Sequence, residues 1–226
     1  AGWRARLGVE TEGLPLYLVA YLHAAIRDEQ DATRRDQPPA SVGEIMQSRL
    51  ALLGAAEIQV LQSAAVIGRS FDFDTLLEAC GRMEEETVAA LEILMQRGLV
   101  RELTPAPNSV ERYLLYDFNH EQMRVLVYES LSMARRRLLH RRIGESLERR
   151  SQHEREQLPG APFSGQIAYH YRQAGITGKA AHYYRLAGEY ARRLYANQEA
   201  TEHFKNALAL GDAERGGLHQ AIGDLE

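Results

Sequence analysis

The sequence predicts a mainly α-helical protein with one small β-hairpin, and three observations lead to that fold class. First, apolar residues recur at helical spacing through most of the 226 residues, with capping signals and glycines at the segment ends. Second, short strand-like segments occur at 99–103 and 113–118, on either side of a loop that contains two prolines. Third, small and aromatic residues recur after 165 at the spacing of packed helix pairs.

Two helices separated by a linker are predicted at the start of the chain. Pro15 opens an apolar run that ends near Ile26, and proline suits the first helical position because an N–H there has no intrahelical partner. The charged, proline-containing stretch 27–41 is expected to be a linker. Ser41 and Glu44 form the S-x-x-E pattern of a capping box, which predicts a helix over 42–53.

Further helices lead up to the hairpin and follow it. A helix is predicted over 55–67, a short one after 71–74, and an amphipathic one over 84–97. After the hairpin, Asn119 and Gln122 are placed as a capping pair for a helix to about 131. An arginine-rich helix then follows over 132–150. Three helices and then a hairpin, over about 41–131, is the order of a winged-helix unit, and with its trailing helix this domain is assigned to 41–150.

The segment 165–226 is predicted to hold tetratricopeptide-like helical repeats, after a polar linker at 151–165. The array is expected to be incomplete, because each repeat buries its face only against neighbours and the last stretch resembles the start of another repeat. Small and aromatic residues fall where the helices of such a repeat approach each other: Ala168, Tyr171, Gly175, Ala180, Tyr184 and Ala187 in one set, and Ala187, Gly188, Ala191, Ala200, Phe204 and Ala207 in the next.

Composition and motifs exclude a self-contained phosphate-loop enzyme. Only two of the 27 basic residues are lysines. The G-x-x-x-x-G-K-[S/T] loop does not fit at Gly178 and Lys179, because Gln173 and Ala180 occupy the other required positions. The net charge of -4 gives no general attraction to nucleic acid or a membrane surface. A single cysteine, Cys80, cannot form an internal disulfide, which favours a reducing, cytoplasmic compartment.

Three segments, in this order, resemble the regulatory half of the STAND class of signal-transduction ATPases. That class includes maltose-activator-like (LuxR-type) bacterial transcription regulators and ATPase-containing nucleotide cyclases. The sequence TEGLPLYL at 11–18 is similar to an element of the lid after the ATPase core, so 1–36 would be the end of that lid. The segments AVIGRSF at 65–71 and YDFNH at 116–120 match within the winged helix, and the repeats follow. The resemblance implies an ATPase core upstream of Ala1, in a longer protein.

His120 and Pro15 are the nucleotide-binding residues that the resemblance implies. The family's histidine at the position of His120 contacts the β-phosphate of ADP and holds the closed state, and its proline at the position of Pro15 presses against adenine. The residues themselves allow this, because a neutral imidazole at a helix start can donate to a phosphate oxygen. This sequence has Glu121 where the NB-ARC resistance proteins of plants, which belong to the same class, have aspartate. The alternatives are a helix-start histidine bonded to backbone and a simple helix-starting proline. ADP or ATP is thus expected in the full-length protein, with none held tightly by this chain.

Other candidate residues have ordinary structural explanations. Arg69 follows a helix end and could pair with an anion, but surface arginines are usually solvated. The arginines at 135–137 and 141–142 are expected on a solvated helix face or at a domain interface. The histidines show no metal-ligand spacing, since Arg124 stands where H-E-x-x-H requires the second histidine after His120. Cys80 is expected in the core.

The sequence therefore predicts a regulatory, non-catalytic region that senses nucleotide through its winged helix and binds an inducer or a protein through its repeats. One alternative is a stand-alone helical scaffold that binds a peptide or protein. Another is a DNA reader, but the helix that would enter the major groove begins with Glu84, Glu85 and Glu86, and an acidic face is repelled by phosphates. No direct binding to nucleic acid or to a membrane is expected.

Overall fold

The computed structural model describes residues 42–103, 114–155, 163–212 and 214–225. Those residues form ten α-helices and three β-strands, which confirms the predicted mainly helical fold class. In chain order they are α1 (Val42–Ala51), α2 (Ala55–Ile67), β1 (Ser70–Asp72), α3 (Phe73–Cys80), α4 (Glu84–Gln96), β2 (Val100–Leu103), β3 (Leu115–Phe118), α5 (Glu121–Glu129), α6 (Met133–Arg155), α7 (Ser164–Ala174), α8 (Thr177–Arg193), α9 (Asn197–Ala209) and α10 (Arg215–Gly223).

Two compact units make up the chain, 1–58 and 59–226. The first contains α1 and the first turn of α2, and its Met46 and Leu53 are buried. The lid region 1–36, the capping box that depends on Ser41, and the loop 104–112 lie outside the described residues. The domain boundaries 1–36, 41–150 and 165–226 therefore stay predictions.

The sheet has three antiparallel strands in the order β1-β3-β2. The predicted hairpin is confirmed as β2 paired with β3, with Val100 opposite Phe118. On its other side, β3 pairs with β1, where Phe71 lies opposite Tyr116. The sequence analysis missed β1, because a three-residue strand shows too little alternation to be recognised.

The chain order from α2 to β3 is that of a winged helix, and local capping explains where its helices stop. Asp72 caps α3, since its carboxylate accepts from the N–H of Thr75 at 2.9 Å. Gly81 (φ 65°) ends α3 and Gly98 (φ 65°) follows the end of α4, both in the left-handed region that favours glycine. The predicted Asn119–Gln122 capping pair is wrong, because Asn119 donates instead to the Gly98 carbonyl at 2.8 Å and His120 takes the cap position.

The trailing helix α6 is longer than predicted and connects the two halves of the second unit. The sequence analysis ended it near 150 and began a linker at Ser151, but α6 continues to Arg155 and Ser151 is buried in it. Polar residues suggested a linker there, yet the first helix-breaking proline comes only at 159. Along its length α6 packs against both α3 and α7.

The repeat region is a series of helices in which α6 to α10 each pack on the next. Small residues make room for rings between paired helices. A Cβ on Gly144 of α6 would lie 3.2 Å from the Tyr171 ring of α7, and one on Gly188 of α8 would lie 2.4 Å from the Phe204 ring of α9. The predicted packing residues are buried, except Gly175, which is exposed and ends α7 with φ 81°.

Candidate functional site

His120 lies at the N-cap of α5, two residues after the central strand β3 ends. Its backbone is extended (φ -141°, ψ 124°), and its carbonyl accepts from the N–H groups of Met123 and Arg124 at 3.1 and 3.4 Å. The side chain is half-buried and makes no capping hydrogen bond. A helix start has N–H groups without intrahelical partners, so the position suits a residue that meets an anion. Pro15 lies outside the described residues, so its contact with adenine stays a prediction.

A cleft of about 490 Å³ opens beside α5, and we call it the α5 cleft. Arg124 closes one wall, with Nε donating to Glu121 at 2.8 Å and Nη1 donating to the Ala65 carbonyl at 3.2 Å. The candidate residue Arg69 also lines this cleft, whereas His120 does not. The lining residues are Val66, Ile67, Gly68, Arg69, Glu121, Arg124, Val125, Tyr128, Glu129, Arg136 and Tyr169.

Two buried polar atoms belong to residues of the α5 cleft and have no hydrogen-bond partner among the described residues. They are Oε2 of Glu121, an acceptor, and Nε of Arg136, a donor. Arg136 is otherwise held, because its Nη2 donates to the Glu129 carbonyl at 2.8 Å and its guanidinium lies 4.6 Å from the centre of the Tyr128 ring. Both atoms are shielded from solvent, so they do not by themselves mark a binding site.

A second cleft, of about 440 Å³, lies along β1, and we call it the β1 cleft. All three residues of β1 line it, together with residues of α6 and α7. Arg150 of α6 forms an ion pair with Asp72 at 2.9 Å and lies 4.8 Å from the centre of the Phe163 ring. Ile67 and Tyr169 line both clefts, so the α5 and β1 clefts adjoin where the winged helix meets the repeats.

The helix α4, which would enter the major groove in a DNA reader, has an acidic exposed face. Glu84, Glu85, Glu86 and Glu92 are exposed, while Thr87, Ala90, Leu91 and Leu94 are buried. Negative side chains oppose the phosphate backbone, which supplies most of the binding energy in DNA complexes. The exposed surface of α4 therefore argues against a role in reading DNA.

The arginines of α6 are largely used in joining the winged helix to the repeats. Arg142 donates to the Ala79 carbonyl at 3.2 Å, at the end of α3, and Arg149 pairs with Glu78. With the Arg150–Asp72 pair, these contacts fasten α6 to α3 and to its cap. Of the arginines at 135–137 and 141–142, Arg137 and Arg141 are exposed, as on a solvated helix face, while Arg136 and Arg142 contact α5 and α3 within the predicted domain 41–150, so the expected domain interface stays a prediction.

A buried histidine pair, which sequence reasoning missed, lies where α6 meets α7. His140 and His170 approach with Nδ1 atoms 2.9 Å apart, so one ring donates and the other accepts, and the Tyr128 hydroxyl lies 3.2 Å from Nε2 of His140. Burial, then the charge of Arg136, lowers the pKa of His140 to about 4. Burial, then His140, lowers the pKa of His170 to about 3. Both rings are therefore neutral at pH 7.

A polar network around Glu148 of α6 also escaped sequence reasoning. Its carboxylate accepts from the Tyr171 hydroxyl at 2.5 Å, the Tyr183 hydroxyl at 2.8 Å and Lys179 at 2.7 Å. Burial favours a raised pKa for Glu148, but the three hydrogen bonds outweigh it and lower that pKa. Burial and the neighbouring carboxylate raise the pKa of Tyr171. The network ties α6, α7 and α8 together.

Among the described residues there is neither a metal-binding cluster nor a membrane-spanning helix. No three His, Cys, Asp or Glu side chains in the described ranges lie close enough together to hold a metal ion. Within those ranges, the helices are too short or too polar to cross a bilayer. Cys80 is fully buried, as expected, and its thiol lies 3.3 Å from the Leu77 carbonyl.

The described residues form a winged helix that is joined, through the long helix α6, to a series of packed helix pairs. No protein-family model matches the chain, and no curated protein matches it either.

Proposed function

We propose that this chain is the regulatory part of a signal-transducing ATPase of the STAND class, as a transcription regulator or a nucleotide cyclase would carry. In this proposal the winged helix responds to ADP or ATP bound by a core upstream of the chain, and the repeats bind an inducer or a protein. The observation that carries it is His120 at the N-cap of α5, in a winged helix fastened to the repeats. A cytoplasmic location, favoured by the single Cys80, belongs to the same proposal.

Nucleotide acts in this scheme by binding two conformations unequally. A ligand shifts an equilibrium only by its differential contacts with the two states. His120 would supply such a contact, by donating from its imidazole to a phosphate oxygen in the ADP state alone. The rest of the phosphate site must come from the core, because the 226 residues contain no phosphate loop.

The contacts of α6 would allow a movement of the winged helix to reach the repeats. Arg142, Arg149 and Arg150 join it to α3 and its cap, while Glu148 joins it to Tyr171 of α7 and Tyr183 of α8. A displacement of the winged helix would therefore be passed to the repeats as a movement of α6 rather than absorbed in a flexible linker.

The test is an ADP titration of the full-length protein with His120→Ala. Loss of a hydrogen bond to a charged group costs about 1.5–3 kcal/mol, so the dissociation constant for ADP should rise about 10- to 100-fold. Basal signalling output should rise as well, because the ADP state is the closed one. His219→Ala is the control, since His219 is an exposed histidine on α10. An unchanged ADP affinity in the His120 variant would remove the proposed role.

A stand-alone scaffold is the second candidate, and one observation favours it. At the turn between α8 and α9, the adjacent Leu194 and Tyr195 are 60% and 90% exposed, and together they offer an apolar contact to a partner. A scaffold would bind its partner regardless of nucleotide. A pull-down with and without ADP separates the two candidates, because only the regulatory proposal requires capture to change with nucleotide.

A further inference from the structure

The end of α8 and the turn after it carry a small exposed surface, which we call the α8 tip. It consists of four consecutive residues, Arg192, Arg193, Leu194 and Tyr195. Leu194 and Tyr195 are 60% and 90% exposed. Both arginines are exposed as well, and neither forms an ion pair with a described residue. Tyrosine and arginine are enriched among the residues that contribute most to protein–protein binding, so the α8 tip has the composition of an interface.

Tyr195 holds its exposed position in an unfavourable backbone conformation. Its φ of 60° lies in the left-handed region, and the corresponding residue after α9 is Gly211, with φ 82°. A side chain costs stability in that region, and glycine avoids the cost. Burial of the ring does not compensate, because the side chain is almost fully exposed. A tyrosine kept there at the expense of stability indicates a role outside the fold of the single chain.

The exposed side of α4 carries the opposite charge, and we call it the α4 face. Its residues are Glu84, Glu85, Val88 and Glu92, which lie together because residues three and four apart are neighbours on a helix. Val88 is 40% exposed, and Met83, directly before the helix, is 65% exposed. None of the three glutamates forms an ion pair with a described residue. The α4 face therefore combines uncompensated negative charge with exposed apolar surface.

The α8 tip and the α4 face are complementary in charge, and each contains exposed apolar side chains. Helix dipoles favour glutamates at the start of α4 and arginines at the end of α8, but they do not account for Glu92 in the middle of the helix or for the exposed apolar side chains. Within one chain the two surfaces lie on separate elements, since α4 packs mainly on β2, and α8 on α7 and α9. A second copy of the chain offers the surface that each of them lacks.

We propose that the α8 tip of one copy docks on the α4 face of a second copy, with its arginines against the glutamates and its apolar side chains against Val88. The contact joins two different surfaces, so every added copy leaves one of each free, and the chain forms a head-to-tail series or a closed ring. Stable interfaces use about 20–30 residues on each side, and these surfaces hold fewer, so association should be weak and depend on concentration. The inference goes beyond the proposed function and needs no nucleotide.

Sedimentation velocity of this chain over a series of concentrations measures the association. Species larger than a dimer should appear as the concentration rises, because the contact is heterologous. They should decrease when salt is added, since exposed charges are screened. A chain that stays monomeric at every concentration would overturn the proposal.

Tyr195→Gly separates docking from folding. It should weaken association about tenfold or more, because it removes an aromatic side chain from the interface. It should also raise the thermal midpoint of unfolding, because glycine relieves the left-handed conformation, so a loss of association cannot be attributed to misfolding. Arg137→Glu is the control for surface charge, since Arg137 is exposed on α6 outside both surfaces, and it should change association less than about twofold. Unchanged association in Tyr195→Gly would contradict the proposed contact.

An exchange of charges tests the pairing of the two surfaces. One double variant carries Arg192→Glu with Arg193→Glu, and the other carries Glu85→Arg with Glu92→Arg. Each should be monomeric alone, because its tip and its face then have the same charge. Their mixture should associate, because each tip meets an oppositely charged face of the other variant, and this recovery also shows that both variants are folded. Association of either variant alone, or a mixture that stays monomeric, would reject the pairing. None of these readouts uses ADP, so failure here leaves the His120 test of the proposed function standing.

Discussion

The helix pairs α6–α7 and α8–α9 follow one packing rule with different chemistry. In each pair a glycine of the first helix faces an aromatic ring of the second, Gly144 with Tyr171 and Gly188 with Phe204. The ring in α6–α7 carries a hydroxyl bonded to Glu148, and the same helix contact contains His140 and His170. In α8–α9 the contact centres on Phe204 and buried alanines, and the one histidine there, His203, is only partly buried beside the Tyr184 ring.

The difference places polar and titratable contacts in the pair next to the winged helix. Hydrophobic burial is insensitive to pH and charge, whereas buried hydrogen bonds and neutral histidines depend on both. A change in pH should therefore weaken the α6–α7 contact more than the α8–α9 contact. Three predictions test this contrast, in order of decreasing effect.

The largest expected effect is a loss of stability in acid that originates in α6–α7. Unfolded histidines titrate near pH 6.5, while the folded pKa values are about 4 for His140 and about 3 for His170. Stability is complete above pH 6.5 and falls as the pH drops toward the folded values, because the unfolded chain binds more protons. Two such histidines should lose about 3 kcal/mol between pH 6.5 and 5.

Urea unfolding at several pH values measures this loss. The double variant His140→Gln with His170→Gln replaces the rings by amides that do not titrate, so its stability should change much less in that interval. Tyr128, Tyr169 and Arg136 surround the pair and stay in place in the variant. The same acid dependence in both proteins would show that the pair is not its source.

A smaller effect should come from filling the glycine contact in α8–α9. A Cβ at Gly188 would lie 2.4 Å from the Phe204 ring, so Gly188→Ala must displace a buried ring, and overpacking costs typically 1–3 kcal/mol. Alanine recovers about 1 kcal/mol in helix propensity, which leaves a net loss of up to about 2 kcal/mol.

Gly144→Ala is the counterpart in α6–α7. There the distance to the Tyr171 ring is 3.2 Å, and the gain in propensity should nearly cancel the strain. Denaturant midpoints of the two variants provide the measurement. Equal losses would mean that the two glycine contacts are equally tight, contrary to the structure.

The smallest effect concerns the residues that end α7 and α8. α7 ends at Gly175 (φ 81°), whereas Tyr195 occupies the equivalent left-handed position after α8, with φ 60°. A left-handed side chain costs roughly 1–2 kcal/mol, so Tyr195→Gly should stabilise the fold by about 1 kcal/mol. Gly175→Ala should destabilise it by a similar amount, as seen in thermal midpoints. Destabilisation by Tyr195→Gly would show that the tyrosine ring has a structural role.

Much of the fold could be predicted from sequence because its signals are local. The helix 55–67 has the predicted ends, and α4 differs by one residue, since apolar spacing and a terminal glycine mark both. β1 has three residues and pairs with a strand more than 40 positions later, so no local pattern reveals it. The end of α6 was misplaced because composition alone suggested a linker.

The site was less predictable, because its parts are distant in sequence. His120 was placed correctly to within one residue, since a strand end followed by a helix start is a local signal. His140 and His170 are 30 positions apart, and only the packing of α6 on α7 brings them together. The α5 and β1 clefts likewise depend on six elements whose approach no spacing rule predicts.

The length of α6 has a mechanical consequence. Its 23 residues form a rod of roughly 34 Å, since each helical residue adds about 1.5 Å. A rod of that length tilted by about 10° moves its far end by about 6 Å, slightly more than the pitch of one helical turn. Because α3 and α7 both contact α6 between His140 and Arg150, a tilt of α6 would move both contacts together.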